Sequence, residues 1–275
     1  MADEQIEIWN GRSGRAWVES QALLDDLFKR FEPLLVDAVA AVHARRVLDI
    51  GCGTGATSLA IARSLGADGA CTGLDVSEPM LALARARAER EGLRIRFIRA
   101  DAQTYAFEPA AFDMLVSRFG VMFFDDPVEA FANLRRAAAP GAALRMIAWR
   151  SAAENAFMTT AERAAAPVLP NLPPRRPDGP GQFAFGNRSH VEHTLARSGW
   201  HAIDIVPIDI PCSVPADQLQ TYVTRLGPVG QLLPELDEHT REDVIRTVTA
   251  AFDQYIQDGH VRFTAACWML RAQNG

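Results

Sequence analysis

A dense run of glycines follows a short apolar segment near residue 50, and this run is well suited to binding a ligand. The segment Val47-Leu48-Asp49-Ile50 is typical of a buried strand, and Gly51-Cys52-Gly53-Thr54-Gly55 follows it directly. Glycine adopts positive φ angles at little cost and lets a ligand approach the backbone closely. The pattern predicts a ligand-binding turn between a strand and a helix.

Three aspartates recur at equal spacing, each near the carboxyl end of a predicted strand. Asp49 belongs to the first strand, Asp75 to the second and Asp101 to the third. The carboxyl ends of neighbouring parallel strands meet at one edge of a sheet, where open α/β sheets bind ligands. Because a carboxylate at the second strand can accept hydrogen bonds from both hydroxyls of a ribose, the three acids predict a site for a ribose-containing ligand.

Five segments, in this order, resemble the class I S-adenosylmethionine-dependent methyltransferases. Within that family they look most similar to the ubiquinone/menaquinone C-methyltransferases and related enzymes of small molecules. The segments lie at residues 47–55, 73–81, 100–103, 112–118 and 134–141. The resemblance implies S-adenosylmethionine as the cofactor and transfer of its methyl group to a small organic acceptor.

The resemblance also implies how the cofactor would lie. Gly51 and Gly53 would contact its methionine part, with Asp49 positioning the loop or binding the ammonium group. Asp75 would hold the ribose. Asp101 would accept a hydrogen bond from the adenine amino group, and Ala102 would donate its backbone N–H. Val76 and Met80 would pack on the adenine faces, and Ser117 would lie beside the reactive methyl group.

Two tryptophans near the start of the chain belong to a segment that, in such enzymes, folds over the bound cofactor. They are Trp9, in Trp9-Asn10-Gly11, and Trp17, in Gly14-Arg15-Ala16-Trp17. Ordinary anchoring of a surface helix to the core explains both residues equally well. The resemblance alone makes them candidate cofactor contacts.

Methyl transfer from a sulfonium needs alignment in a dry pocket more than it needs reactive side chains. The acceptor is expected to be aromatic or quinone-like, methylated on oxygen or carbon, because many apolar and aromatic residues can form its pocket. Core packing is the alternative role for each of them. Candidates for the acceptor site are Arg118, Met122, Phe123, Trp149, Phe183 and Phe185, the last two because they lie in an irregular segment.

Charged groups near the strand ends leave the remaining chemistry open. Arg118 and Arg150 could each anchor an anionic acceptor, although an ion pair with a nearby aspartate would explain Arg118 as well. None of the histidines lies in a recognisable motif, so no general base is assigned. Asp125-Asp126 precedes Pro127 and is read as a helix cap, and no metal site is predicted.

Two other functions remain as alternatives. The glycine run also satisfies the loose G-x-G-x-x-G/A pattern of nicotinamide-dependent oxidoreductases. Asp49, two positions before the first glycine, would place negative charge near a pyrophosphate, which disfavours that interpretation. The second alternative is a protein that binds S-adenosylmethionine without catalysis, or a related aminopropyl-transfer enzyme that uses the decarboxylated cofactor.

The composition indicates in which cellular compartment the protein acts and which classes of partner it binds. The 275 residues carry a net charge of −6, and no stripe of Lys or Arg would attract nucleic acid or an anionic membrane. The four cysteines show neither zinc nor disulfide spacing, and no apolar stretch would span a bilayer. We expect a cytoplasmic protein with a small-molecule partner, and whether it forms a homo-oligomer is left open.

The periodicity of apolar residues predicts an α/β fold in which strands and helices alternate. We expect a Rossmann-like, doubly wound, mostly parallel sheet of seven strands with helices on both faces, the last strand being antiparallel by resemblance alone. The expected strands are 46–50, 70–75, 94–99, 112–117, 142–149, 201–210 and 262–271.

The whole chain, 1–275, is read as one methyltransferase domain with insertions. Residues 1–43 are expected to form a helical cover, with one or two amphipathic helices from about 16 to 43, and 45–150 the cofactor-binding core. The Pro-rich segment 151–186 and the segment 213–260 are expected to form a helical lid, with helices near 216–226 and 238–257. Helix caps are predicted at Ser77, at Asp126 and in Ser189-His190-Val191-Glu192.

Overall fold

A central β-sheet orders the molecule, for which a computed structural model describes residues 2–173, 175 and 179–275. The proline-rich part of the predicted lid at 174 and 176–178 lies outside the described residues. The strands are β1 Arg46–Ile50, β2 Ala70–Asp75, β3 Ile95–Arg99, β4 Phe112–Arg118, β5 Ala138–Trp149, β6 His201–Pro215, β7 Ile256–Gln257 and β8 His260–Gln273.

The strand order is β3-β2-β1-β4-β5-β8-β6, with β7 paired to β8 beside this path. Strands β1 to β5 pair in parallel, whereas β8 runs antiparallel to both β5 and β6. The predicted mostly parallel sheet with an antiparallel last strand is therefore confirmed. The two-residue β7 adds an eighth strand to the seven expected among the described residues.

Three strands extend beyond their predicted limits by two residues or more, and β4 extends by one. Strand β5 begins before Pro140-Gly141, where the pairing with β4 is irregular and Gly141 takes φ +77°. Strands β6 and β8 continue to Pro215 and back to His260, so both ends of the predicted lid 213–260 belong to the sheet. The pairing of β6 with β8 runs from His201↔Gln273 to Pro215↔His260. These hydrogen bonds join segments that are distant in sequence, so sequence periodicity does not reveal how far the two strands extend.

Helices cover the sheet and its carboxyl edge. They are α1 Ala2–Asn10, α2 Arg12–Glu19, α3 Gln21–Phe28, α4 Glu32–Ala41, α5 Ala56–Leu65, α6 Glu78–Arg90, α7 Pro127–Ala137, α8 Thr160–Ala165, α9 Arg188–Arg197, α10 Leu219–Arg225, α11 Gly227–Leu232 and α12 Glu238–Ala251. The start of the chain thus contains four helices rather than the expected one or two. The four helices are separated at Gly11, at Ser20 and by the 3₁₀ turn Lys29–Phe31.

Apolar residues pack on both faces of the sheet, as a doubly wound fold requires. Val47, Met114 and Val116 belong to one buried cluster, which includes residues of α4 and α5. Leu48 and Leu115, which alternate with them, belong to a second and larger cluster. Burial on both faces explains why the strand at 46–50 reads as a continuous apolar run.

The two late segments form a helical layer that we call the lid, comprising α8, α10, α11 and α12. These four helices pack against one another. Phe157, just before α8, stacks on Phe263 of β8 with ring centroids 3.7 Å apart, and it also contacts Tyr222 and Phe252. This aromatic cluster fastens the lid to the sheet.

Candidate functional site

A cavity of about 470 Å³ lies at the carboxyl edge of the sheet, between the strand ends and the lid. One wall comes from the turns that follow β1, β2 and β3. Further lining comes from the segment after β4, the end of β5, and the lid. Among the predicted residues, those that line it are Trp9, Trp17, Gly51, Gly53, Asp75, Val76, Met80, Asp101, Ala102, Arg118, Met122, Phe123 and Trp149.

The glycine turn is held against the neighbouring strand ends by its own backbone. Gly51 and Cys52 donate their N–H groups to the carbonyl of Leu74, at 2.8 and 3.1 Å. Gly51 takes φ +64°, and a Cβ there would lie 2.6 Å from the Cα of Gly120. A side chain at this position would therefore separate the turn from the segment after β4, so glycine is required by both conformation and space.

Asp75 joins the turn to the second strand end. Its carboxylate accepts from the N–H of Gly53 at 2.8 Å and from the N–H of Ser77 at 2.9 Å. Burial raises the pKa of this carboxyl, and the two backbone donors oppose the rise. The carboxylate is buried yet lines the cavity, so its remaining lone pairs are available to hydroxyl donors.

The residues predicted to surround an adenine ring lie on the same wall. Asp101 accepts from the N–H of Gln103 at 2.8 Å, and Ala102 is buried beside it. Val76 and Met80 line the cavity from the start of α6. The helix is capped as predicted, because Ser77 Oγ accepts from the N–H of Met80. Polar and apolar groups therefore meet here in the arrangement that a nucleoside needs.

The first two helices are fastened across this wall by a set of hydrogen bonds that we call the N-terminal clasp. Ser77 Oγ donates to the carbonyl of Trp9 at 2.6 Å, and Asn10 bridges the carbonyl of Val76 and the N–H of Glu78 at 3.0 Å each. The Trp9 ring lies edge-on to Trp17 at 6.0 Å and to Phe123 at 5.2 Å. The clasp thus covers the cavity with aromatic side chains.

Two predicted cofactor residues, Ser117 and Asp49, do not line the large cavity. Ser117 is fully buried, where its hydroxyl donates to the carbonyl of Ile50 at 2.7 Å and accepts from the N–H of Gly120. It does not line the cavity, so its expected place beside a reactive methyl group is wrong. The hydroxyl instead holds the segment after β4 against β1.

Asp49 lies next to a second, smaller pocket of about 40 Å³ that adjoins the first at the glycine turn. One carboxylate oxygen accepts from Ser58 Oγ at 2.6 Å, whereas Oδ1 has no hydrogen-bond partner among the described residues. Burial raises the pKa of this carboxyl to about 7. A cationic group in the small pocket would stabilise the ionised form.

The acceptor wall differs from its prediction at two aromatic positions. Phe185 is buried against Phe131 of α7, with ring centroids 6.1 Å apart, and Phe183 lies under the guanidinium of Arg175 at 4.8 Å. Neither lines the cavity. Both predictions were wrong because the irregular segment turns these rings toward the core and toward an arginine.

Predicted charges near the strand ends also have other partners. Arg150 pairs with Glu154 at 2.9 Å and Asp209 at 3.0 Å, away from the cavity, so it cannot anchor an acceptor there. Asp113, one of the nearby aspartates that could have paired with Arg118, pairs with Arg46 instead. Asp126 caps α7 as predicted.

The predicted cap in Ser189–Glu192 of α9 was wrong. The helix is capped by Asn187, whose side chain accepts from the N–H groups of Ser189 and His190. The capping residue therefore lies two positions before the serine that the sequence pattern favoured.

The sequence predicted a lid but did not reveal which residues of the segment 213–260 line the cavity. Tyr222, Val223, Val229 and Phe252 line the cavity from α10 to just after α12. Their helical spacing signals an apolar face, but spacing alone does not tell which part of the fold that face meets. Burial raises the pKa of Tyr222, whose hydroxyl lies 3.5 Å from the sulfur of Met158. Tyr222 is therefore a neutral donor in an apolar wall.

One polar corner interrupts this wall. Arg175 forms a two-pronged ion pair with Glu162, at 2.5 and 2.7 Å, and donates to Gln182 at 3.1 Å. All three residues line the cavity. The corner offers hydrogen bonds to a polar substituent on an otherwise apolar ligand.

In the part of the chain that the structure describes, no group of three or more His, Cys, Asp or Glu could hold a metal ion, and no histidine lines the cavity. Across the same residues, no helix is long and apolar enough to cross a bilayer. The four cysteines are buried free thiols.

Comparison with known proteins agrees with this geometry. Residues 47–141 match a family described as a methyltransferase domain. The demethylmenaquinone methyltransferase of Thermus thermophilus is 36% identical over 129 residues, which is 46% of this chain and 58% of that one. The aklanonic acid methyltransferase DauC of Streptomyces is 37% identical over 124 residues, 43% of this chain and 56% of that one. The chain thus spans little more than half the length of these relatives.

A solved structure supports the fold. The phosphoethanolamine N-methyltransferase 2 of Haemonchus contortus, in complex with S-adenosyl-L-methionine, superposes with a TM-score of 0.50 at 20% identity. The match covers 83% of this chain and 48% of that one. At this identity the likeness speaks for the fold alone. Together with the sequence matches, it confirms the predicted resemblance for the segment that carries the glycine turn and the aspartates.

Proposed function

We propose that this chain, whose residues 47–141 match a family described as a methyltransferase domain, binds S-adenosylmethionine and transfers its methyl group to a small aromatic or quinone-like acceptor. One observation carries the proposal: the glycine turn, Asp75 and Asp101 line the same cavity as aromatic residues from the segment after β4, the end of β5 and the lid. One cavity therefore offers polar groups to a nucleoside cofactor and an apolar surface to an acceptor. The two sequence relatives, named for demethylmenaquinone and aklanonic acid, support this acceptor class.

The residues present fit this cofactor at each of its parts. Asp75 offers carboxylate lone pairs to the ribose hydroxyls, and Gly53 has open space toward Met80, whose sulfur would lie 3.8 Å from an added Cβ. Asp101 and the apolar Val76 and Met80 suit adenine. The unpartnered Oδ1 of Asp49 suits the ammonium group.

When bound, the cofactor would supply a methyl group on a positively charged sulfur, which would keep the electron pair of the carbon–sulfur bond while the acceptor gains the methyl group and loses a proton to solvent. The chain's own contribution is alignment and exclusion of water. Trp9 and Trp17 cover the cavity on the cofactor side. Trp149, stacked on Phe119 at 4.5 Å, presents a rigid apolar surface on the acceptor side.

Hydrogen-bond donors in the acceptor wall would orient the acceptor. The raised pKa of Tyr222 keeps its hydroxyl protonated, so it donates to an oxygen of the acceptor. The corner of Glu162, Arg175 and Gln182 receives a second polar substituent. A phenol or quinone presents oxygens on a flat apolar ring and so meets both features.

The proposal also covers the domain organisation of the chain and the cellular compartment in which it acts. We propose that the whole chain acts as one domain, with 1–43 as cover, 45–150 as cofactor core and 151–186 with 213–260 as lid. The net charge of −6 and the four buried thiols support a cytoplasmic protein that acts on a small molecule without nucleic acid. Whether it forms homo-oligomers stays open.

Calorimetry followed by product analysis tests the function. We expect the purified protein to bind S-adenosylmethionine and S-adenosylhomocysteine but not NADH, and to methylate phenols or quinones faster than amines. Binding of NADH without either adenosyl ligand would favour an oxidoreductase. Cofactor binding with no methylated product from phenols, quinones, amines or carboxylates would favour a binding protein. Equal or faster methylation of amines would refute the proposed acceptor class.

A further inference from the structure

The small pocket beside the glycine turn is bordered by two buried groups of opposite charge. Asp49 and Arg118 both line it, together with Gly51–Thr54 of the turn. Asp49 is 1% exposed and the Arg118 side chain 12% exposed. Buried charges in proteins are normally paired and hydrogen-bonded, because desolvation is costly otherwise.

Neither of these charges is fully satisfied by the residues that the structure describes. Within the described residues, Nη1 of Arg118 and Oδ1 of Asp49 are buried without a hydrogen-bond partner. The carboxylate nearest to Arg118, that of Glu32, lies 3.9 Å away, which is beyond hydrogen-bond range. Asp25, a further acid near Arg118, is held by Arg87 at 2.5 Å. Each of the two residues that border the small pocket therefore keeps a buried polar atom to which the described residues supply no hydrogen bond.

The surroundings fix Arg118 in this position. Its guanidinium lies over the ring of Phe28, 5.7 Å from the centroid, and the residue lines the large cavity as well as the small pocket. Burial lowers its pKa, whereas Glu32 raises it. A carboxylate entering between the turn and this guanidinium would replace lost hydration with a charge-assisted hydrogen bond.

We propose that Arg118 binds the carboxylate of the cofactor's amino-acid end while Asp49 binds its ammonium group, so that the small pocket is a zwitterion site. The inference rests on the proposed function and changes the role expected for Arg118, from anchoring an anionic acceptor to anchoring the cofactor. The acceptor then meets the apolar wall, Tyr222 and the corner at Arg175.

Decarboxylated S-adenosylmethionine, which lacks only the carboxylate, is the probe that isolates this contact. By calorimetry we expect the wild-type protein to bind it about 10- to 100-fold more weakly than S-adenosylmethionine, the range for one charged hydrogen bond. Arg118→Met should weaken the binding of S-adenosylmethionine by a similar factor and the binding of decarboxylated S-adenosylmethionine by less than about 3-fold. Arg118→Lys, which keeps the charge, should recover part of the difference.

Arg150→Met is the matched control, since its side chain is 13% exposed, nearly as buried as Arg118, but paired outside both pockets. It should leave the preference between the two ligands unchanged. Equal wild-type affinity for the two ligands, or an equal loss of both in Arg118→Met, would overturn the inference while leaving the proposed function intact. Failure of the wild-type protein to bind S-adenosylmethionine, its decarboxylated form and 5′-methylthioadenosine would overturn the proposed function itself.

Discussion

At the scale of single residues, the site is a set of buried acids whose hydrogen bonds decide their roles. Asp75 accepts from two backbone N–H groups and still faces the cavity, while Asp49 lies under the turn with one free oxygen. Two aspartates near the carboxyl ends of neighbouring strands thus differ in environment. We expect them to respond differently to substitution and to pH.

Asp75→Asn should weaken S-adenosylmethionine binding by about 1–3 kcal/mol, because one carboxylate oxygen becomes an amide donor that cannot accept from a ribose hydroxyl. Isothermal titration measures this loss. Asp113→Asn is the control, as that residue pairs with Arg46 outside the cavity. An unchanged affinity in Asp75→Asn would mean that the ribose lies elsewhere.

Cofactor affinity should rise with pH through the pKa of Asp49, which burial raises to about 7. Below this value the carboxyl is protonated and must release a proton to pair with an ammonium group, so affinity should fall by up to about tenfold per pH unit. Titrations from about pH 6 to 7.5, in buffers of different ionisation heat, measure both the affinity and the released proton. Asp49→Asn should remove the dependence, and a wild-type affinity that is flat over this range would contradict the assignment.

At the scale of elements, the sequence predicted the strands well and the connections poorly. A continuous apolar run indicates a buried strand such as Arg46–Ile50. Glycines indicate the turn after it, because few other residues adopt the φ angles that the turn requires. The directions of Phe183 and Phe185 depend on an irregular segment, where no period relates sequence to orientation. Similarly, Asn187 replaced the expected serine cap because several residues near a helix start can cap it.

Ser77 connects two elements, since it caps α6 and also holds the N-terminal clasp. Ser77→Ala should lower stability by about 1–2 kcal/mol and also weaken cofactor binding, because Trp9 loses its tether. Denaturant titration and calorimetry measure the two effects. Asn187→Ala, which removes the cap of α9 away from the cavity, should lower stability by a similar amount without changing cofactor affinity. Equal cofactor affinity in Ser77→Ala and wild type would show that the clasp does not support the site.

At the scale of the whole molecule, the cavity is complete only when sheet, N-terminal helices and lid are together. The glycine turn and the aspartates come from residues that the sequence could assign, because they follow consecutive strands of a parallel sheet. Tyr222 and Phe252 come from distant segments. Their meeting with Trp149 depends on tertiary packing, so the acceptor half could not be predicted from local patterns.

Tyr222→Phe should raise the KM for a phenol or quinone by about 5- to 20-fold with little change in cofactor affinity, since the lost hydroxyl faces the acceptor. Steady-state kinetics at saturating cofactor measures the change. Tyr255→Phe is the control: that hydroxyl lies 3.2 Å from Thr160 Oγ1 within the lid and outside the cavity, so KM should stay constant. Equal KM values for both variants and wild type would remove Tyr222 from the acceptor site.

The position of β8 between β5 and β6 has a consequence for how the protein is made. During translation, β6 leaves the ribosome well before its only sheet neighbour among the described strands, β8. Until His260–Gln273 has emerged, β5 and β6 each present an open edge to other nascent chains. Synthesis of these late residues therefore ends the interval in which the newborn chain is most vulnerable to aggregation.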